Sequence, residues 1–179
     1  MGGGIAYREG DMSDAETLVT TLRDYFADNW DAKVDGLNDG YEAATDPVDP
    51  IRLRHLAAAY TADRQRKSVP QFPVIGVISH TSRNTNWKAD TDDWSHGIMI
   101  GVLEQHQDAD VLDTMVKRYM EDVIWSLLKA GHFADDIGGY HLVTTTEAGL
   151  ADIDIDWGPT IPGSDTMTQD AKLTLRMEA

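Results

Sequence analysis

The chain lacks cysteine and has few basic residues. Its 179 residues include no Cys, 15 Lys and Arg, and 31 Asp and Glu. Without cysteine the chain has no disulfides, no thiol catalysis and no cysteine-based metal site. This composition fits a reducing cytoplasm.

Long apolar runs are also missing. No stretch approaches the ~18 apolar residues that a membrane-spanning helix needs. Met1 to Ile5 contains three glycines and leads into an acidic stretch, so we expect no secretory signal. Hydrophobic residues still make up 41% of the chain, which is enough for a packed core. We therefore expect a globular chain with no membrane association.

Acidic residues dominate what is present. The formal net charge is −16, and 24 Asp stand against 7 Glu and 6 Lys. Such a surface repels phosphate backbones, which argues against general nucleic-acid binding. Two explanations remain open. The charge provides solubility, or it reflects high salt, where the Debye length of ~3 Å makes a crowded acidic surface tolerable.

Two stretches predict amphipathic helices. Ser13 to Glu16 forms a capping box ahead of apolar residues at helical spacing, which predicts a helix over 13–29. Residues 31–50 contain Asp-Gly pairs and prolines, which indicate turns. A second helix of about twenty residues begins at Asp108 or Asp110, with Gly131 as its expected end.

Apolar and alternating segments predict strands. Phe72 to Ser79 is rich in β-branched residues, and Ile98 to Val102 reads as a strand buried on both faces or nearly so. Further strands are expected in His141–Thr146, Leu150–Trp157 and Ala171–Met177, while 51–60 suits a strand or a helix. The prediction is an α+β fold, a mostly antiparallel sheet with two main amphipathic helices on one face.

The length fits one domain over 1–179. We expect a flexible N-terminus (1–12) and long excursions at 44–67 and 81–93. Loops of this length inside a compact domain are often functional.

Three aspartates on one predicted strand face form the first candidate for chemistry. Asp152, Asp154 and Asp156 could hold a hard cation and serve a metal-dependent enzyme. However, Trp157 stands where a calcium loop needs glycine, and no glutamate occupies the twelfth position. The alternative is an exposed acidic stripe whose apolar neighbours face the core.

Other catalytic patterns are missing. The six histidines show no zinc-binding helical spacing, and no serine lies in a Gly-x-Ser-x-Gly frame. Gly2–Gly4 and Gly138–Gly139 lack the strand or helix context of a phosphate loop. We therefore expect neither catalysis nor a cofactor.

Two groups of residues are candidates for an interface. Basic residues concentrate at Arg52, Arg54, Arg64 and Arg66, which form either a docking patch for an acidic neighbour or local charge balance. Trp87, Lys88 and Trp94 lie in the polar stretch between two strands, where exposed tryptophans are natural interface anchors. The alternative is a local cap on the sheet.

The order of elements resembles a known family. An amphipathic helix leads to the strand Phe72-Pro73-Val74-Ile75-Gly76-Val77, then to a polar excursion and the strand His96–Val102. A long helix containing Lys117-Arg118-Tyr119 and Val123-Ile124-Trp125 follows, and an alternating strand, Ala171 to Met177, closes the order. Over roughly residues 13–178 this resembles the tail terminator and tail completion proteins of tailed viruses of bacteria or archaea.

The resemblance implies a structural virion protein. Such proteins form rings, typically of six subunits, that end the tail tube at its head-proximal end and join it to the neck or connector. The expected partners are copies of the chain, the tail tube protein and the connector proteins, with no cofactor and no catalytic residue. Acidic subunits around the channel would let DNA pass without specific binding. Another neck or tail-completion protein of the same virion is the nearest alternative.

Overall fold

The computed structural model describes residues 14–43, 51–61, 71–84, 94–134, 137–143 and 153–178. In chain order the elements are α1 (Asp14–Ala43), β1 (Ala58–Tyr60), β2 (Val74–Asn84), β3 (Trp94–His106), α2 (Ala109–Arg118), a π-helical segment (Tyr119–Trp125), α3 (Ser126–Ala134), β4 (His141–Leu142), β5 (Asp154–Trp157), β6 (Ile161–Pro162) and β7 (Met167–Glu178). The pieces from Ala109 to Ala134 follow one another without a break, and we call them together the second helix.

The strands form one seven-stranded sheet in the order β1-β2-β3-β7-β4, and β5 and β6 also pair with β7. The long strands β2, β3 and β7 are antiparallel, and the pairing of β1 with β2 is parallel. The three short strands lie one after another along the edge of β7 that faces away from β3. The predicted α+β class, with a mostly antiparallel sheet and two helices, is confirmed.

The core lies between this sheet and the helices. Alternate residues of the central strands point to the helix side and are buried, among them Ile98, Ile100 and Val102 of β3. Ala171, Leu173, Leu175 and Met177 of β7 do the same, as their alternation predicts. The opposite side of β3 is only partly buried at Met99, Gly101 and Leu103, so burial on both faces is only approximately correct.

The first helix is longer than predicted. It continues from residue 29 to Ala43, so the expectation of turns over 31–43 is wrong. Trp30, Val34 and Asn38 extend its buried face at helical spacing. Gly36 and Gly40 lie on the solvent side, and Gly36 has nothing within 4 Å of where a Cβ would be. Burial of one face therefore outweighs the cost of about 1 kcal/mol for each glycine in the helix.

The second helix starts as expected and ends later than expected. Asp108 caps its N-terminus by accepting hydrogen bonds from the amides of Asp110 and Val111. Gly131 does not end it, since the helix continues to Ala134. A Cβ on Gly131 would lie 2.7 Å from Ile137 Cγ1 and 2.8 Å from Tyr25 Cζ, so glycine here permits close packing against α1.

The remaining predictions have mixed outcomes. β2 runs to Asn84, so the predicted excursion at 81–93 begins with four residues of strand. Residues 51–57, where strand and helix were both open, form neither and lead into β1. Ser13 of the predicted capping box lies outside the described residues. None of the described helices is long and apolar enough to cross a membrane.

Candidate functional site

Strand β3 carries a polar residue at each end of its buried apolar stretch. His96 and Glu104 both point to the helix side, and each is about 1% exposed or less. Eight residues separate them, or about 27 Å along the strand. Each is the centre of a polar cluster, which we call the His96 cluster (Asp14, Ser82, His96, Tyr140) and the Glu104 cluster (Trp30, Arg54, Glu104, Tyr119).

Glu104 is a buried carboxyl group with few partners. Its Oε1 accepts a 2.8 Å hydrogen bond from the Gln105 amide and lies 3.4 Å from Nη1 of Arg54. Among the described residues Oε2 has no hydrogen-bond partner of ordinary geometry, although the Tyr119 hydroxyl lies close enough to favour the charged form. Burial outweighs these contacts and raises the pKa of Glu104. The core at this end of β3 therefore contains a carboxyl group whose hydrogen-bonding capacity is only partly used.

Tyr119 joins the Glu104 cluster to residues 51–57. Its hydroxyl accepts a 2.8 Å hydrogen bond from the Arg54 amide, and its ring lies 5.3 Å from that of Trp30. The indole of Trp30 donates to the Arg54 carbonyl at 3.3 Å. Burial, with Glu104 nearby, raises the pKa of Tyr119 far above its ordinary value. Tyr119 is also the first residue of the π-helical segment, a geometry that is frequent at functional sites.

Side chains of α1 and α2 hold the rest of this irregular segment. Asn38 bonds both the amide and the carbonyl of Leu53, each at 2.9 Å. Asp31 accepts from the Leu56 amide at 2.9 Å, and Arg118 donates to the Ile51 carbonyl at 3.1 Å. Backbone groups that no strand pairs are satisfied by these contacts, which explains why the segment needs no regular secondary structure.

The His96 cluster is a chain of hydrogen bonds that reaches the surface. Ser82 Oγ lies 2.9 Å from His96 Nδ1, and His96 Nε2 lies 2.5 Å from Asp14 Oδ2. The Tyr140 hydroxyl donates to the second oxygen of Asp14 at 2.7 Å. Ser82 is exposed, and the Asp14 side chain is 37% exposed. Here the polar groups have partners as well as access to water.

A β-bulge sets the position of Ser82. Ser79 pairs with Ile98 but Thr81 pairs with Gly97, so His80 is an extra residue in β2. With regular pairing Thr81 would lie opposite His96, whereas the bulge places Ser82 there. Gly97 admits the bulge, because a Cβ at this position would overlap Thr81 Oγ1 and lie 2.7 Å from His80 Cε1. Ser82 also lines an open cavity of about 450 Å³ between β2 and the start of α1.

The predicted interface residues fall in different places. Arg52 is exposed and pairs with Glu42, whereas Arg54 is half-exposed and turns towards Glu104. Trp94 is partly buried and stacks on His96, with ring centroids 6.4 Å apart. Arg64, Arg66, Trp87 and Lys88 lie outside the described residues. The structure thus links Arg54 and Trp94 to the two polar clusters, which sequence reasoning did not foresee.

The aspartates proposed for metal binding are exposed on β5. Asp154 pairs in register with Thr174, and Asp156 with Lys172, so a cation already lies across from one of them. Asp152 lies outside the described residues. Over the described ranges no three His, Asp or Glu side chains come close enough to hold a metal ion.

Sequence reasoning missed both polar clusters. Glu104 follows Ile100 and Val102 at every second position, a spacing that places its side chain on the buried face. His96 has the same spacing from Ile98. For Asp14 and Ser82 no local signal exists, because helix packing and the bulge bring them to His96.

No family model matches the chain, and no curated protein sequence is significantly similar to it.

Proposed function

We propose that this chain is a structural virion protein, a tail terminator that forms a ring at the head-proximal end of the tail tube and joins it to the neck. The observation that carries the proposal is the arrangement of elements. A long helix precedes the β2–β3 hairpin, a second helix follows it, and β7 closes the sheet beside β3. This is the order for which the sequence resembles the tail terminator family. Another neck or tail-completion protein of the same virion is the nearest alternative.

Two features of the surface support association with further copies. Within the described residues, β1 pairs only with β2, and β4, β5 and β6 pair only with β7, so these short strands form the outer edges of the sheet. Large apolar side chains are exposed as well: Phe133 at 81%, Ile161 at 57% and Trp157 at 38%. Trp157 and Ile161 belong to the β5–β6 edge. Exposed apolar anchors on an outer strand of the sheet suit a heterologous contact that closes into a ring.

An acidic stripe on α1 supports the proposed channel. Six exposed carboxylates follow one another at steps of three or four residues and so share one side of the helix. They are Asp24, Asp28, Asp31, Asp35, Asp39 and Glu42. Arg23, His55 and Arg52 offset part of this charge. In the proposed ring the stripe, about 27 Å long, faces the lumen, where it repels DNA and allows it to pass without specific binding.

The direct test is the arrest of tube growth. Tail tube protein of the same virion is polymerised with and without this chain, and tube lengths are measured in negative-stain images together with any rings. We expect tubes of limited length with a ring at one end. Tubes of unchanged length, with no particle attached to their ends, would contradict the proposal. Tail tubes are included because ring closure can require the tube end as a template.

A matched pair of variants tests the surface. Ile161→Asp places a charge at the β5–β6 edge and should abolish rings and end-binding. Ser164→Asp, three residues away at an exposed position, should leave both unchanged. Equal behaviour of the two variants would show that this edge is not the contact. A ring whose lumen is neutral or basic would overturn the role given to the acidic stripe.

A further inference from the structure

We propose that Ser82 is an activated nucleophile, with His96 as its general base and Asp14 as the group that orients His96, and that the adjacent cavity accepts a small neutral ester. This activity goes beyond the proposed structural role and does not depend on it. The proposal rests on three connected observations: the chain of hydrogen bonds, the bulge that places Ser82 opposite His96, and the cavity that Ser82 lines.

The hydrogen bonds assign the proton positions. The carboxylate of Asp14 can only accept, so Nε2 of His96 carries the proton of the 2.5 Å contact. Nδ1 is then the free lone pair, and it lies 2.9 Å from Ser82 Oγ, within reach of the hydroxyl proton. A nucleophile next to a base that a third group orients is the arrangement of serine hydrolases, here with the two ring nitrogens exchanged.

The orienting group is itself fixed in place. The Tyr140 hydroxyl donates to Asp14 Oδ1 at 2.7 Å and leaves Oδ2 for the histidine. Trp94 stacks on one side of the imidazole at an interplanar angle of 18°. His96 is thus buried and held in one orientation, while its serine partner remains exposed.

The cavity determines the class of substrate. Its volume of about 450 Å³ lies within the range of small-molecule sites. Val19 and Ile78 give it apolar walls, and Glu16 lies at its rim, so a neutral acyl group fits better than an anionic one. Ala15 and Glu16 belong to the first turn of α1, so the positive end of this helix dipole borders the cavity.

The reaction is ester hydrolysis in two balanced steps. Ser82 Oγ attacks the carbonyl carbon while Nδ1 of His96 takes the hydroxyl proton. The bond to the alcohol oxygen then breaks as His96 returns that proton to the leaving alcohol, which gives acyl-Ser82. Water, deprotonated by His96, attacks the acyl carbon, and the Ser82 oxygen leaves with the proton, releasing the carboxylic acid.

A fluorophosphonate probe tests the nucleophile directly. Ser82 Oγ would bond to phosphorus as fluoride leaves, and peptide mapping by mass spectrometry would locate the label. We expect Ser82 to be labelled at least 100-fold faster than Ser164, which is exposed and lies 3.5 Å from Asp165 but has no bonded histidine. His96→Gln should slow labelling of Ser82 at least 100-fold. Labelling of Ser82 at the rate of Ser164, or at an unchanged rate in the His96→Gln variant, would overturn the proposal.

Hydrolysis of p-nitrophenyl acetate provides a second readout, which separates a loss of the nucleophile from a loss of stability. Ser82→Ala removes the partner of a buried imidazole nitrogen, so its melting temperature should fall, but circular dichroism should show the native fold while hydrolysis falls to the level of free histidine. Ser164→Ala should keep the full rate. A Ser82→Ala variant that is folded and hydrolyses the ester at the wild-type rate would refute the assignment.

Discussion

The two ends of strand β3 differ in how a buried titratable side chain is hydrogen-bonded. Both place a titratable side chain on the buried face of the sheet, His96 near the start and Glu104 near the end. His96 has a partner on each ring nitrogen, and its cluster reaches solvent through Ser82 and Asp14. Glu104 is fully buried near Tyr119, and within the part of the chain that the structure describes one of its oxygens has no hydrogen bond.

This difference separates a structural site from a reactive one. In the Glu104 cluster the polar groups satisfy the backbone of residues 51–57, and no exposed hydroxyl belongs to it. In the His96 cluster the contacts are between side chains and end at a cavity. Buried polar groups without water are costly to disturb, whereas groups near solvent can be rehydrated. Removal of a hydrogen bond should therefore cost more at the Glu104 end.

The largest expected effect is at Asn38, which supports the Glu104 end. Asn38→Ala leaves the buried amide and carbonyl of Leu53 without partners, at about 1–3 kcal/mol each, so we expect a loss of about 3 kcal/mol. Asn29→Ala is the matched control on the same helix, because its side chain is exposed. It should change stability by less than about 0.5 kcal/mol. Urea unfolding measures both, and similar losses would show that the 51–57 segment is not held in this way.

The second test removes one hydroxyl at each end. Tyr119→Phe removes the buried hydroxyl that accepts a hydrogen bond from the partly buried Arg54 amide, and it should cost about 2 kcal/mol. Tyr140→Phe frees an oxygen of Asp14 that water can reach and should cost about 0.5 kcal/mol. The two free energies of unfolding are compared at the same pH. Equal losses of stability in the two variants would show that the Glu104 cluster is no more closed to water than the His96 cluster.

The third test uses pH. Because burial raises the folded-state pKa of Glu104 above its ordinary 4.5, the folded chain holds this proton more tightly than the unfolded chain. The contribution of Glu104 to the free energy of unfolding is therefore largest below pH 4.5. It declines as the pH rises to the folded pKa, by about 1.4 kcal/mol for each unit of the shift.

Glu104→Gln should remove this dependence. The amide keeps the shape of the side chain without a buried charge. The free energy of unfolding of the variant should therefore increase relative to that of the wild type as the pH rises from 4.5 to 7. Arg54, the nearby cation, is unchanged by the substitution. Chemical unfolding of both proteins across this range gives the difference curve. A flat difference would mean that Glu104 has an ordinary pKa.

The smallest effects concern the two arginines first considered as interface residues. Arg54→Ala withdraws the cation from a buried carboxyl and should cost about 1 kcal/mol at pH 7. Arg52→Ala breaks an exposed pair with Glu42 and should cost less than about 0.5 kcal/mol. Thermal unfolding at pH 7 resolves the two. Equal effects would indicate that solvent screens Arg54 as fully as Arg52.

Sequence patterns predicted the elements better than their ends. Alternation over Ala171–Met177 predicted the buried face of β7, and the apolar face after Asp108 predicted the second helix. Turn-forming residues misled at three places, Asp35-Gly36, Asp39-Gly40 and Gly131, since all three lie inside helices. In each place packing of the apolar face outweighed the local preference for a turn.

What the sequence by itself determined is the pattern of burial along each element: two amphipathic helices, alternating strands, and polar residues at positions 96 and 104 of a buried face. That pattern is local, because side-chain direction repeats with the period of the helix or strand. Only the tertiary structure decided which residues meet across the chain. The bulge at His80 places Ser82 opposite His96, and the packing of the first turn of α1 brings Asp14 to the same imidazole ring. Hydrogen bonds from Asn38 and Tyr119 hold residues 51–57 in place. Such contacts depend on register and on helix position, which local periodicity does not specify.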